Sequence, residues 1–281
     1  MPKVSVIIST YNKPHFLEKV LTGYSNQTFQ DFEILIADDG SNSDTKQLIE
    51  KFKKNFSQKI THVWQEDNGF RKCKILNKAI LRSKAKYIIF TDGDCIPKSN
   101  FLEVHVNLSK KGYYLSGGHF PINEKVSEKI TLNDIISQKC FSKLFLLMSG
   151  QQLNKNFFKI IYSNQVASLL DFLTPTKTTF NGNNSSAWRD DVISVKGFDE
   201  RMEYGGLDCE LGYRLKNYGV KSIQIRNRST VLHLYHTRPY KNKDAVAINR
   251  KIRKKTLANR IITTEFLSLI HISEPTRLRR I

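Results

Sequence analysis

Asp92-Gly93-Asp94 directly follows the apolar run Tyr87-Ile88-Ile89-Phe90. A buried strand that ends in two carboxylates two residues apart can aim both at one polyvalent cation. Such a pair suits the handling of a metal-bound phosphate ester, with Asp94 on the cation and Asp92 toward a ribose or the metal's water. Asp-Gly is also a common turn pair, and a plain turn explains the tripeptide equally simply. A calcium-binding EF-hand loop fails, because Ile96 and Pro97 stand where that loop needs a ligand and its sharp-turn glycine.

Three further groups carry chemistry. His233-Leu234-Tyr235-His236 places two imidazoles three residues apart, just after the strand-like Val231-Leu232. On a strand the rings would face opposite ways; in a turn both can reach one metal ion. Carboxylate and imidazole together suit Mn2+, with Mg2+ less favoured by nitrogen donors. Gly205-Gly206-Leu207-Asp208 puts an acid at the start of a helix predicted to end near Tyr218-Gly219. Asp208 there is either a cap on free amides or a general base brought close to substrate by the two glycines. Arg71, Lys74 and Lys78 share one face of a helix predicted over 71–83. They form either a solvated basic face or, with the helix N-terminus, a diphosphate-binding edge.

The elements that must position these groups follow from apolar patterning. Val4–Ser9, Phe32–Ala37, Ile60–Trp64 and Tyr87–Phe90 read as buried strands. Helices are predicted from Pro14 to about Tyr24, from Asp44 to Lys54 and from Arg71 to Ser83, the last with Cys73, Leu76 and Ile80 inward. Strands alternating with helices predict an α/β fold with a doubly wound, mostly parallel sheet, whose ligands bind beyond the strand C-termini. Three such termini carry polar clusters: Ser9-Thr10-Tyr11, Asp38-Asp39 and Asp92-Gly93-Asp94. The expected organisation is 1–120 as a nucleotide-binding half, 121–177 as a helical insertion and 178–240 as a second half of the same domain. A basic C-terminal helix over 241–267 follows, with Asp244 the one acid between Lys241 and Arg260. Residues 268–281 (SLIHISEPTRLRRI) look like translated vector or adapter sequence and are set apart from fold reasoning.

Composition bounds the class. The chain has 281 residues, 40% hydrophobic and 11% aromatic, which supports a packed core. The four cysteines show no C-x-x-C pair and read as reduced thiols. No run approaches the about 18 apolar residues of a membrane span. Met1-Pro2-Lys3-Val4 enters a strand directly, so no secretory signal is expected. The net charge of +19 calls for an anionic partner: nucleic acid, membrane surface or phosphorylated substrate.

Taken together the motifs resemble a known pattern. VSVIISTYNKPHFLEKVL, QTFQDFEILIADDGS and TDGDC look like glycosyltransferase family 2 with the GT-A fold. FNGNNSSAW, KGFDERMEYGGLDCELGYRL and HLYH are similar to the galactosyltransferase-like region of chondroitin-polymerase-type enzymes. The resemblance implies that Thr10 and Asp39 contact the nucleoside, with Asp38 adjacent, and that Asp92 and Asp94 form the ribose and metal motif. It implies further that Arg71 and Lys74 lie near the nucleotide, that Gly182 and Asn183 bind substrate, that Asp208 is the base and that His236, with His233, holds the metal. Leu207 departs from it, standing where the family usually has Glu.

The implied activity is a metal-dependent, inverting transfer of a sugar from a UDP-sugar to a glycan or glycolipid hydroxyl. The implied donors carry Gal or GalNAc, with Glc or GlcNAc open. A nucleotidyltransferase would share the sheet and the Asp-x-Asp pair but would not need the Gly-Gly-x-Asp and late histidines. A nucleic-acid-binding protein would explain the charge but lacks any aromatic-basic repeat, so no nucleic acid partner is expected. The expected location is the cytoplasm. The apolar 141–173 region and basic 241–260 segment suit peripheral contact with an anionic membrane at the inner face; a solvated basic helix covering the sheet explains the latter equally well.

Overall fold

The computed structural model describes residues 1–267 except 161, 162 and 175; the adapter-like 268–281 lies outside them. The first third alternates as expected: β1 (Val4–Thr10), α1 (Pro14–Ser25), β2 (Phe32–Asp38), α2 (Ser43–Asn55), β3 (Ile60–Trp64), α3 (Lys72–Arg82) and β4 (Tyr87–Asp92). β5 (Cys95–Pro97), α4 (Phe101–Leu108), β6 (Tyr113–Ser116) and β7 (Gly118–Pro121) follow. Four short helices come next: α5 (Glu124–Lys129), α6 (Leu132–Ile136), α7 (Lys143–Met148) and α8 (Asn164–Leu173). The chain then forms β8 (Asn184–Trp188), α9 (Arg189–Ser194), α10 (Leu207–Asn217), β9 (Lys221–Gln224), β10 (Thr230–His233) and α11 (Lys243–Ala258).

Seven strands form one mixed sheet in the order β3-β2-β1-β4-β8-β6-β9, in which β8 runs antiparallel to β4 and β6. All seven residues of β1 are buried, because helices cover both faces and leave no polar side. Val4, Val6 and Ile8 join α1 and α4 in one core, while Ile7 points into the other with α3 and α10. Sequence patterning missed a second sheet of order β5-β10-β7. Its strands have three or four residues, too short for their period to stand out.

A buried polar clamp fastens the two sheets. The Asn184 amide donates to the Gly118 carbonyl at 2.7 Å and the Ser229 carbonyl at 3.0 Å. Its oxygen faces His105 Nε2 at 3.0 Å, and His105 Nδ1 takes the Ser186 hydroxyl at 2.7 Å. Because Asn184 Oδ1 only accepts, the imidazole proton is assigned to Nε2. Gly117 is obligatory beside the clamp: a Cβ there would lie 2.1 Å from the Asn184 oxygen.

Burial drives His105 from its ordinary 6.5 down to about 4, against the opposing Asn184 hydrogen bond. A base depressed in the folded state stays neutral there while the unfolded chain takes up the proton. Stability is therefore full above about pH 6.5 and falls toward pH 4, by roughly 3 kcal/mol from this group. Urea midpoints measured across that window should show the loss, and His105→Gln, which cannot titrate, should remove this share of the acid sensitivity.

Candidate active site

Register sets the strand ends level. Thr10 pairs with Asp38 across β1 and β2, and Ser9 pairs with Asp92 across β1 and β4. Beyond them opens a cleft of about 660 Å³, lined by Thr10, Asp39, Asp92, Asp94, Gly182, Asn183, Asp208, His233 and His236. These expected site residues come from six separate stretches of chain.

Asp38 belongs elsewhere. It is wholly buried, and its carboxylate accepts from the Ser41 amide at 2.8 Å and His62 Nε2 at 2.8 Å. It fastens the turn after β2 and is not in the cleft wall; the side chain of the last strand residue points away from the one that follows. Asp39 does reach the cleft, accepting from Gln65 Nε2 at 2.6 Å and the Arg71 amide at 2.8 Å. Burial lifts its pKa above the usual carboxylate range despite those bonds.

The basic face of α3 is also displaced from expectation. Arg71 precedes the helix and its guanidinium turns to the Glu66 carbonyl. Arg71 and Lys74 crowd Lys78 electrostatically, and none of the three lines the cleft. Lys72 and Ile75 do, since two residues of helix rotate a side chain by about 200°. Lys72 Nζ donates to Asp92 Oδ1 at 2.6 Å, and Ser9 Oγ donates to the same oxygen at 2.6 Å. Burial works against the Lys72 charge, but Asp92, Asp94 and Asp208 outweigh it and raise its pKa above the ordinary lysine value.

β10 ends at His233, beside Cys95 of β5, and the next amide, Leu234 N, donates to the Asp94 carbonyl at 2.9 Å. The chain then turns so that the His233 and His236 rings stack with centroids 5.4 Å apart. His236 Nε2 lies 2.9 Å from Asp94 Oδ2, and His233 Nε2 lies 3.8 Å from Oδ1. His236 Nδ1 is 2.8 Å from the Thr237 carbonyl, which only accepts, so Nδ1 carries a proton. A neutral ring then turns its Nε2 lone pair onto a carboxylate oxygen. Two acceptors so close require a cation, either a second ring proton or a metal ion, and imidazole bound through one nitrogen to a backbone carbonyl is the usual support of a metal ligand.

Burial raises the Asp94 pKa, but the His236 hydrogen bond and the charges of His233, His236 and Lys72 overcome it and keep the carboxyl well below its usual range. Asp94, Cys95 and His233 also converge closely enough to share an ion. Burial, however, pushes the Cys95 thiol well above its ordinary pKa, which leaves it a protonated neighbour. One carboxylate and two imidazoles remain, a donor set that fits Mn2+.

Gly206 begins α10 at φ +79°, and a Cβ on it would meet the Arg253 guanidinium at 2.7 Å. That turn carries Asp208 into the cleft one residue inside the helix, so it does not occupy the N-cap position. Its Oδ2 accepts from the Gly182 amide at 2.8 Å and its Oδ1 from the Cys209 amide at 2.8 Å. Leu207 packs into the core beneath α10. Arg214, with no exposed surface, fixes the helix: Nη2 donates to Glu210 at 2.8 Å and to the Gly197 carbonyl at 2.6 Å. Glu210 also takes the Thr256 hydroxyl of α11 at 3.0 Å.

Beyond Lys72, sequence reasoning missed Lys13, Arg238 and an aromatic group of Phe70, Tyr204 and Tyr240, all lining the cleft. Lys13 follows the end of β1 and Arg238 follows His236 by two residues, so proximity to the recognised motifs was the available signal.

Residues 5–170 match the family model described as glycosyl transferase family 2. Chondroitin synthase of Escherichia coli is 27% identical over 228 residues, covering 77% of this chain and 32% of that protein. GalNAc(5)-diNAcBac-PP-undecaprenol beta-1,3-glucosyltransferase of Campylobacter jejuni is 28% identical over 185 residues, 59% of this chain and 58% of that one. The chain thus spans less than two thirds of either relative. S. aureus TarS 1-349 in complex with UDP-GlcNAc superposes with a TM-score of 0.61 at 16% identity, over 92% of this chain and 70% of that one. Mannosyltransferase PcManGT from Pyrobaculum calidifontis, in complex with GDP-Man and Mn2+, gives 0.57 at 16%, over 92% and 62%. These structures share the GT-A fold. The strand-end cleft, its motifs and the extent of the match lead to one assignment: the chain belongs to glycosyl transferase family 2.

Proposed function

We propose that the protein is a metal-dependent, inverting hexosyltransferase moving a sugar, Gal or GalNAc by preference, from a UDP-sugar to a hydroxyl of a cell-surface glycan or lipid-linked precursor. The observation that carries this reading is the entry of Asp208 into the same cleft as Asp94, His233 and His236. The relatives include glycan-building enzymes, and the superposed structures hold nucleotide sugars.

Asp94, His236 and His233 are the residues that would hold Mn2+, or Mg2+ in its place. When bound there, the cation supplies positive charge against the departing diphosphate. Lys72, Lys13 and Arg238 add fixed positive charge to the same region, taking the role expected of Arg71 and Lys74. In this reading Thr10 and Asp39 would contact the nucleoside and Asp92, which Ser9 and Lys72 pin, would meet the ribose. Gly182 and Asn183 border the reacting sugar beside Asp208.

Each Asp208 oxygen receives one amide N–H and keeps a lone pair for a hydroxyl proton. The acceptor O–H bond breaks toward Asp208 as its oxygen bonds to the anomeric carbon. The bond from that carbon to the diphosphate oxygen breaks on the other side, with its electron pair leaving on UDP. One displacement inverts the anomeric centre, and a single carboxylate suffices.

Asp208→Asn keeps an oxygen for the Gly182 amide but cannot take the proton. It should lower kcat by about 10²–10⁴-fold while UDP binding by calorimetry stays unchanged; full turnover would remove the assignment. Chelation should abolish UDP release and Mn2+ should restore it, with His236→Ala needing at least about tenfold more Mn2+. Lys72→Met should raise the donor KM by roughly tenfold or more, while Lys74→Met leaves it unchanged; equal effects would return the role to the outer face of α3.

A further inference from the structure

Eleven of the twenty-one exposed large apolar side chains among the described residues fall between Leu132 and Leu173. Their density is highest on α8. Val166, Leu169, Phe172 and Leu173 are 49%, 56%, 86% and 60% exposed, and their spacing puts them on one side of the helix. The inward side carries Ala167 and Asp171, both buried. Asp171 accepts from the Asn227 amide at 2.8 Å and from Arg228 Nε at 2.8 Å. The helix is thus anchored by its acid with its apolar side outward, the reverse of an ordinary surface helix. Turning Phe172 inward would expose Asp171 and strip Asn227 and Arg228 of their partner. On α7, Leu144 and Met148 are likewise exposed one turn apart.

We propose that this face of α8 is a docking surface for an anionic lipid membrane. Charge selects the occupant. Arg226 lies near Asp171 and donates to Thr176 Oγ1 at 3.0 Å, just past the end of α8. Lys155 and Lys159 cluster with Arg226 closely enough that, after burial, their mutual repulsion weakens the Lys159 proton. Lys177 is exposed beyond the helix. An apolar helix face with cations gathered at its C-terminal end matches an acyl boundary beneath anionic headgroups. A second copy of this chain, at +19 and with the same cations, would be repelled. The basic α11 suits this role less well, because Ala245, Asn249 and Thr256 are buried and Thr256 is bonded to Glu210.

The test is co-sedimentation of the full chain with phosphatidylcholine vesicles, with and without phosphatidylglycerol. Binding should require phosphatidylglycerol and fall as salt rises. Leu169→Ser/Phe172→Ser should weaken it at least about tenfold through lost apolar burial. Lys155→Gln/Lys177→Gln should weaken it by about tenfold or more through lost headgroup attraction. All four replaced side chains are exposed, so the thermal melts should match the parent and separate docking from folding. Sedimentation that ignores phosphatidylglycerol, or that neither variant changes, would overturn the proposal. So would lipid-free dimerisation of the parent that Leu169→Ser/Phe172→Ser abolishes.

Discussion

The pairing of β5 with β10 is the constraint on which the cleft depends. Cys95 lies opposite His233, and the Asp94 carbonyl takes the Leu234 amide. Two backbone registers thereby place an early acid against late imidazoles, with the side chains needing only to turn toward one another. β10 also pairs with β7, and the His105–Asn184–Ser229 clamp ties that small sheet to the large one. A slip of one residue in β10 would send His233 to the other face and dissolve the cluster.

α10 is held to a comparable tolerance by different means. The Glu210–Arg214 pair is buried, and such a pair gains little over an apolar replacement. Its value lies in direction: the guanidinium fork reaches carbonyls of the turn after α9, and Glu210 reaches α11. Removing one partner would strand the other charge at a cost of about 3–5 kcal/mol, so the helix start carrying Asp208 cannot drift cheaply. Rigid placement of this kind is what a proposed general base needs, since proton transfer depends on hydrogen-bond reach.

Four of the seven strands of the large sheet, β1 to β4, were legible from their apolar runs, and their ends announced Thr10, Asp39, Asp92 and Asp94; β6, β8 and β9 are short and mostly polar or mixed, and were not. Short strands hid the second sheet, and the misplaced site residues share another physical source, which is side-chain direction. Asp38 and Asp39 are adjacent acids, but strand alternation sends one into the structure and the other to the cleft. Arg71, Lys72 and Lys74 are neighbouring cations, and where α3 begins decides that only Lys72 faces the carboxylates. The apolar stretch 141–173 was legible as a whole, but periodicity reports that α8 has an apolar face and not which way it turns. Asp171, the residue that sets the direction, finds its partners more than fifty positions later in the chain.

Charge in the cleft bears on the proposed cation requirement independently of ligand geometry. Asp39, Asp67, Asp92, Asp94 and Asp208 line it, against Lys13, Lys72 and Arg238. A diphosphate arriving by itself would enter a wall on which carboxylates outnumber fixed cations. Lys72 is already engaged by Asp92, and burial weakens the hold of Lys13 on its proton despite the opposing charge of Asp94. A divalent ion beside Asp94 reverses that balance in the region the leaving group would occupy, and at an effective dielectric of about 20 each close unit-charge contact is worth roughly 4 kcal/mol. On the proposed function, the same excess of acid that would repel a bare diphosphate would couple metal and phosphate binding, so donor affinity and metal affinity should rise and fall together.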